Sequence, residues 1–382
     1  MLQRLNFSGL ELLVNRILDS LPDSVWKDST VRFLDPDIEC GRAIFVRTVE
    51  KRLRDLGYSE ENISSRVYGY ATEPVIRNAL VAKYSLAGNY EVKNVLEEEI
   101  DMKFDVVVMN PPYQAPQEAE GKRGGGDLLW HKFVEASINK WTKDDGHICA
   151  VHPSGWRKPE SDKSKYKGMF AMMAHDHHMQ YLEIHDTKDG MKTFGAGTRY
   201  DWYVIAKGKS GPTRVKDQNG SVVEIDLKQC NWLPNHSFDA VFSLVGDDGE
   251  IIYDRGAYGT DKSRAWTKQE QDNNFKHPLV HSTTKSGNKF WWSSRNDNGH
   301  FGVSKAIFGE SGINDVIIDL KGEYGMTQGA MAIPIDDKED ARLLKEFLMS
   351  DKFKNILNAC SWSNFRVDWR LFTFFRGGFW RD

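Results

Sequence analysis

Short apolar runs alternate with amphipathic stretches along residues 1–206. Apolar residues recur every three or four positions, the spacing of a helix with one buried face, in 9–20, 43–56, 73–86 and 128–141. Short runs rich in β-branched and aromatic residues predict strands at 31–34, 67–70, 90–95, 104–109, 147–152, 179–185 and 200–206. This alternation predicts an α/β fold built on a doubly wound, mainly parallel sheet.

The pattern changes at the Gly- and Lys-rich segment 207–212. Two short strand-like runs follow it and flank Asn219-Gly220, a dipeptide typical of tight hairpin turns. Residues beyond them mix helical and strand patterns with long polar loops. We therefore predict two domains, 1–210 and 211–382, the second being mixed α/β.

Three polar residues and one proline follow predicted strands at their carboxyl ends. These residues are Asp35, Glu73, Asn110 and Pro153. Ligands of parallel α/β sheets bind beyond the carboxyl ends of the strands. The sequence therefore predicts one site at this edge of the sheet.

The segment Asn110-Pro111-Pro112-Tyr113 carries the most specific chemistry. It directly follows an unbroken apolar run, and the two prolines end the strand because neither can donate to a sheet. The Asn110 side-chain carbonyl and the Pro111 backbone carbonyl offer two acceptors for the two hydrogens of a planar amino group, and Tyr113 offers a stacking face. The alternative is an ordinary surface turn, since Asn-Pro and Pro-Pro are common in loops.

The chain resembles the S-adenosylmethionine-dependent amino-methyltransferases, whose catalytic motif is Asn/Asp/Ser-Pro-Pro-aromatic. The order of its segments is similar to that of gamma-type N6-adenine DNA methyltransferases of restriction–modification systems, and the resemblance covers about residues 30–207. It implies a Rossmann-like catalytic domain, S-adenosylmethionine as cofactor, and a target-recognition domain that binds double-stranded DNA. It implies that Asn110, Pro111, Pro112 and Tyr113 are catalytic.

The resemblance also assigns cofactor-binding residues: Asp35, Pro36, Gly41, Glu73 and Asp101. The loop 35–42 contains one glycine where the family often has two, and Ala71 occupies the usual position of the acid that binds the cofactor ribose. Glu73 is the nearest carboxylate to that position. For Asp101 the alternative is a solvated loop acid. The acidic character of the loop disfavours a phosphate and suits a sulfonium.

Reaching an amino group inside a duplex requires base flipping. Phe194 resembles the family's later aromatic residue that stacks on the flipped base; the alternative is a core phenylalanine. The polar loop 114–126 is a candidate lid over the flipped nucleotide or a plain linker.

Charge is nearly balanced, with 51 Lys and Arg against 55 Asp and Glu and a net charge of −4. Any phosphate contacts must therefore come from a local patch. Residues 276–305 combine basic and aromatic residues, and we predict that Lys285, Lys289 and Arg295 contact DNA. The alternative is a solvated loop beside a core tryptophan pair.

Four widely separated cysteines, with no Cys-x-x-Cys, predict no metal site and suggest a reducing, cytoplasmic location. No signal peptide and no apolar run of about 18 residues is apparent, so no membrane span is predicted. No nuclease motif is recognisable, which disfavours a fused nuclease and leaves a separate restriction endonuclease open as a partner.

Three other functions remain open at this point. The same tetrapeptide serves amino-methyltransferases that act on RNA or on a protein glutamine. The single glycine and Ala71 are also compatible with a catalytically degenerate, DNA-binding subunit.

Overall fold

The computed structural model describes residues 7–115, 128–160, 164–260, 265–298, 300–362 and 367–381. The chain forms two compact units, Met1–Leu233 and Pro234–Asp382. The predicted boundary near residue 210 therefore lies too early. The reason is that the hairpin after it adds two strands to the sheet of the first unit.

The first unit contains eight α-helices in its described part: α1 Phe7–Asp19, α2 Asp23–Lys27, α3 Ile44–Asp55, α4 Glu60–Arg66, α5 Pro74–Tyr84, α6 Trp130–Ala136, α7 Met169–Ala174 and α8 Thr187–Phe194. A π-helical turn, Ser137–Trp141, continues α6. The strands of this unit are β1 Phe33–Asp35, β2 Val67–Ala71, β3 Asn89–Val92, β4 Phe104–Met109, β5 Thr142–Pro153, β6 His178–His185, β7 Tyr200–Ala206, β8 Thr213–Lys216 and β9 Val222–Ile225.

These strands form one sheet in the order β3-β2-β1-β4-β5-β7-β6-β8-β9. Strands β1 to β5 are parallel to one another, whereas β7 is antiparallel to both β5 and β6. The chain starts in the middle of the sheet, adds strands outward to β3, and then continues on the other side of β1. The predicted fold class, a doubly wound Rossmann-like domain followed by a further α/β unit, is confirmed.

Strand β4 shows why the central strands are continuous apolar runs. Val106, Val107, Val108 and Met109 are all fully buried. Val106 and Val108 belong to the same core cluster as residues of α1 and α3. Because side chains alternate along a strand, Val107 and Met109 point to the opposite face. Both faces of the sheet are therefore covered, as in doubly wound folds.

The second unit has smaller sheets and four helices in its described part. Its strands are β10 Thr267–Lys268, β11 His277–Thr284, β12 Gly287–Ser293, β13 Lys305–Gly309, β14 Ile317–Asp319, β15 Gly325–Met326 and β16 Ala330–Pro334, and its helices are α9 Phe238–Phe242, α10 Lys338–Met349, α11 Asp351–Ala359 and α12 Arg370–Thr373. The strands form a sheet β10-β12-β11-β15 and a sheet β14-β13-β16. None of the helices in the described ranges is long and apolar enough to cross a membrane.

A buried ion pair fixes the start of β7. Arg157 and Asp201 are both fully buried, and Arg157 Nε and Nη2 donate to the two Asp201 oxygens at 2.7 and 3.0 Å. Trp156 Nε1 donates to the same carboxylate at 2.9 Å. Arg157 Nη1 also donates to the Leu233 carbonyl at 3.0 Å, which ties down the end of the unit. Two-point pairing of this kind holds both partners in one orientation.

We expect Asp201→Ala to destabilise the protein by about 3–5 kcal/mol, because a buried charge loses its counter-charge. The measurement is the urea midpoint of unfolding, followed by tryptophan fluorescence. Asp55→Ala is the matched control, since the Lys51–Asp55 pair lies on the exposed face of α3 and is expected to cost less than about 1 kcal/mol. Equal effects of the two substitutions would contradict the structural role of Arg157–Asp201.

Candidate active site at the carboxyl edge of the sheet

The site begins where β1 and β4 end side by side. Phe33 is paired with Val106 and Leu34 with Val107, in parallel register. The segments that leave the two strands therefore start next to each other. The chain order of the sheet also reverses between β1 and β4, and such crevices are where ligands of open α/β sheets bind.

The segment after β4 is held in a defined geometry. The Tyr113 hydroxyl donates to Asn110 Oδ1 at 3.2 Å, and the Tyr113 carbonyl accepts from the Leu129 N–H at 3.1 Å. Asn110 and Tyr113 are partly exposed, while Pro111 is buried. Burial raises the pKa of Tyr113, so its hydroxyl keeps its proton at neutral pH. The Asn110 amide is thus oriented by its neighbour in the tetrapeptide.

The loop after β1 approaches this amide closely at Gly41. Gly41 has φ +77, and a Cβ added there would lie 3.2 Å from Ile44 Cγ2 and 3.8 Å from Asn110 Nδ2. Arg42 and Ala43 follow with φ 56 and φ 57. Left-handed geometry costs a non-glycine residue about 1–2 kcal/mol, so this loop stores strain in front of α3. Strain of this kind concentrates at functional sites.

A cavity of about 840 Å³ opens beside the two segments. This volume lies within the usual range for small-molecule sites. The described residues that line it are Asp37, Glu39, Cys40, Thr72, Asn94, Val95, Leu96, Glu97, Pro112, Gln114, Ala115, Leu129, Lys132, Phe133, Glu135, Ala136, Asn139 and Lys140. Loops after β1, β2, β3 and β4 all contribute, as does one side of α6.

The acids of the first loop differ in their access to the cavity. Asp35 is 1% exposed and Pro36 is buried, and among the described residues the loop lines the cavity with Asp37, Glu39 and Cys40. Burial, with a smaller effect of the Asp37 charge, raises the pKa of Asp35 well above its usual value. The predicted ligands Asp35 and Pro36 therefore lie behind the loop surface, and Asp37 and Glu39 are the acids of the loop that line the cavity.

Two other predicted cofactor residues are placed differently from the expectation. Glu73 is exposed at the start of α5, where its backbone N–H donates to Glu39 Oε1 at 2.8 Å. Asp101 lines a second cavity of about 620 Å³ and not the first one. The reason is that residues 93–103 connect the carboxyl end of β3 to the amino end of β4, and Asp101 lies late in that connection.

The sequence analysis missed Asn94, which follows β3 and lines the main cavity. The backbone N–H of Asn94 is not available to a ligand, because it donates to Glu98 Oε1 at 2.8 Å. The predicted strand ran over 90–95 and so contained Asn94, whereas β3 ends at Val92 and Asn94 follows it.

Phe194 is a core residue. It is 6% exposed, and its ring meets Tyr200 edge to face at 4.8 Å. It also belongs to the core cluster that contains residues of α1 and α3. The predicted stacking of Phe194 on a flipped base is therefore not supported, because neither face of the ring is open.

The candidate lid at 114–126 lies mostly outside the described residues. Gln114 and Leu128, which flank the undescribed part, form an antiparallel bridge. This bridge and the Leu129–Tyr113 hydrogen bond connect the start of α6 to the segment Asn110–Tyr113.

The predicted basic stretch of the second unit forms the β11–β12 hairpin. Lys285 and Lys289 are exposed, on the turn and on β12. Arg295 is exposed but donates to both Asp297 oxygens at 2.6 and 2.8 Å. Lys305 is fully buried and pairs with Asp319 at 2.6 Å, so it does not add to the surface charge that the sequence suggested.

Comparison with known proteins gives one family match. Residues 48–194 match the family model described as Eco57I restriction-modification methylase. The predicted resemblance to methyltransferases of restriction–modification systems is thereby confirmed, whereas the gamma-type motif order stays a prediction. The family is one of methylases, in agreement with S-adenosylmethionine as the methyl donor predicted from the sequence. No curated protein matches the chain significantly.

Several solved structures are similar in fold. The DrdV–DNA complex is 10% identical with a TM-score of 0.52, covering 85% of this chain and 48% of that one. The type IIG restriction endonuclease BpuSI is 11% identical with a TM-score of 0.48, covering 97% and 58%. A type I methyltransferase subunit from Streptococcus thermophilus is 11% identical with a TM-score of 0.41, covering 59% and 51%. The chain spans about half the length of these proteins, and the likeness concerns the fold.

We expect Gly41→Ala to weaken cofactor binding at least tenfold, because the added Cβ strains the left-handed loop and lies 3.2 Å from Ile44 Cγ2, closer than an ordinary contact. Isothermal calorimetry with S-adenosylhomocysteine measures this effect. Gly57→Ala is the matched control, because Gly57 has φ +85 but no atom within 4 Å of an added Cβ. Both substitutions introduce similar backbone strain, so equal loss of binding in the two variants would remove the specific role of Gly41.

Proposed function

We propose that this protein is a site-specific DNA methyltransferase that transfers a methyl group from S-adenosylmethionine to the exocyclic amino group of adenine in double-stranded DNA. The observation that carries the proposal is the placement of Asn110-Pro111-Pro112-Tyr113 at the end of β4, beside the strained loop that follows β1. The family match over residues 48–194 supports the same activity.

The cavity suits this cofactor in its charge and its lining. Asp37 and Glu39 supply negative charge for a cationic ligand, whereas Val95, Leu96 and Phe133 supply apolar surface for a flat ring. In the loop, the N–H groups of Arg42 and Ala43 donate to the Glu39 and Ile38 carbonyls at 3.2 and 2.7 Å. These N–H groups are therefore engaged inside the loop, which makes it a poor cradle for phosphate and favours a positively charged ligand.

The chemistry assigned to the tetrapeptide is orientation of an amine. The Asn110 side-chain oxygen and the Pro111 carbonyl oxygen accept the two amino hydrogens, with the substrate amine replacing the Tyr113 hydroxyl as donor to Asn110. This arrangement directs the nitrogen lone pair toward the cavity. S-adenosylmethionine, when bound, supplies an electrophilic methyl group there. Proximity and orientation then account for most of the rate enhancement, and the amine proton leaves to water.

The DNA substrate requires a flipped base, at a cost of a few kcal/mol. Tyr113 is the aromatic residue of the tetrapeptide and is partly exposed, so its ring is the stacking partner that we assign to the base. Lys285 and Lys289 are assigned to phosphate contacts. A separate restriction endonuclease is the partner expected if the protein acts in a restriction–modification system.

We expect the protein to transfer tritiated methyl groups to double-stranded DNA, with the label on adenine after digestion to nucleosides. Asn110→Ala should abolish transfer, because the amine loses its side-chain acceptor, while calorimetric affinity for S-adenosylhomocysteine should change less than about threefold. Asn139→Ala is the control, since Asn139 also lines the cavity but belongs to the turn after α6 and is exposed.

Three results would contradict this proposal. Label on RNA or on a protein glutamine, with none on DNA, would show that DNA is not the substrate. Label on cytosine would show that the target base is cytosine and not adenine. Transfer by Asn110→Ala at the rate of the unsubstituted protein would remove Asn110 from the catalytic role.

Charge removal on the β11–β12 hairpin should weaken DNA binding across sequences. With Lys285 and Lys289 both changed to Ala, the slope of log binding constant against log salt should fall by about 1.8, since each phosphate contact contributes about 0.9. Electrophoretic mobility shift at several salt concentrations measures the slope. A variant with Lys338→Ala and Lys354→Ala, which removes the same charge from α10 and α11, should keep it. Equal slopes in both variants would show that the hairpin is an ordinary solvated surface that does not contact phosphates.

A further inference from the structure

One part of the proposed cofactor lacks an evident partner at the end of β2. A ribose carries two neighbouring hydroxyl groups, which dinucleotide-binding folds commonly bind with an acidic side chain near the end of the second strand. Here β2 ends at Ala71, which is 2% exposed and has no polar group. Glu73 follows at the exposed start of α5.

The carboxylate of Glu39 lies at this strand end, although Glu39 belongs to the loop after β1. Glu39 Oε1 accepts the Glu73 N–H at 2.8 Å. The Thr72 hydroxyl lies 3.3 Å from each of the two Glu39 oxygens. Glu39 and Thr72 both line the main cavity. The first loop thus delivers a carboxylate to the end of the second strand.

Glu39 retains the capacity to bind a diol in this position. A carboxylate offers about four acceptor sites on its two oxygens. The Glu73 N–H and the Thr72 hydroxyl are two donors and use two of them. Hydrogen bonds to a charged acceptor are stronger than neutral ones, so a pair of ribose hydroxyls would gain from the remaining sites.

Asp37, the other acid of the loop that lines the cavity, is committed to the loop itself. Asp37 Oδ1 accepts the N–H groups of Glu39 and Cys40 at 2.9 and 3.2 Å. These bonds form the turn that carries Glu39 toward β2. Asp37 therefore supports the position of Glu39, and it is less available for a ligand.

We infer that Glu39 binds the ribose hydroxyls of the cofactor and so takes the place of the acid that is absent at Ala71. The inference rests on the proposed function, because it assumes an S-adenosyl ligand in the main cavity. It assigns to the first loop a contact that the resemblance placed at the second strand.

The test compares S-adenosylhomocysteine with its 2′-deoxyribose analogue by isothermal calorimetry. We expect the unsubstituted protein to bind the analogue about ten- to a hundredfold more weakly, the usual effect of a lost charge-assisted hydrogen bond. Glu39→Gln keeps an acceptor for the Glu73 N–H but loses the charge. It should bind S-adenosylhomocysteine more weakly and discriminate between the two ligands less than about threefold.

The ratio of the two affinities is the decisive readout, because partial misfolding lowers the number of sites and leaves the ratio intact. Glu91→Gln, on the exposed side of β3, should keep the discrimination of the unsubstituted protein. Unchanged discrimination in Glu39→Gln would overturn the inference. Loss of discrimination in Glu73→Gln alone would assign the ribose to Glu73 instead. An unsubstituted protein that binds neither ligand would refute the proposed cofactor, a result distinct from both.

Discussion

Parallel pairing between β1 and β4 is the constraint on which the candidate site depends. The two strands are distant in sequence, yet their register places the ends of both at the same level of the sheet. One strand leads into the acidic, left-handed loop at Gly41 and the other into Asn110. A shift of this register by one residue would turn every core side chain of β4 to the other face. The hydrophobic core therefore also sets the distance between the two chemical segments.

The acidic loop shows how one turn combines support and recognition. Asp35 is buried, and burial raises the pKa of its carboxyl well above the usual value. Asp37 is also raised in pKa by burial, and it organises the turn through backbone N–H groups. Glu39 extends furthest, to the next strand. Glu39 thus reaches the end of the next strand, while Asp37, closer to β1, holds the backbone of the turn.

The sequence predicted the central elements well because their signals are local. Strand β4 and the turn after it follow from an apolar run ended by two prolines, and the predicted 104–109 agrees with the structure. The positions of Asp101 and Glu39 depend on the path of irregular loops, and hydrophobic periodicity does not predict that path. Phe194 illustrates a second limit, because the sequence around an aromatic residue does not show whether its ring lies in the core or in a binding site. The roles of the site residues stay predictions.

The hairpin of β8 and β9 determines where a shortened polypeptide containing only the first unit should end. β8 pairs with β6 and thereby covers the outer side of that strand. A shortened polypeptide that stops near residue 210 would leave the hydrogen-bonding groups of β6 open to other chains, a common origin of aggregation. A polypeptide that extends to Leu233 would keep the hairpin and the Arg157–Leu233 hydrogen bond. Isolated expression of the first unit is therefore best designed around the edge of the sheet and not around the Gly- and Lys-rich segment.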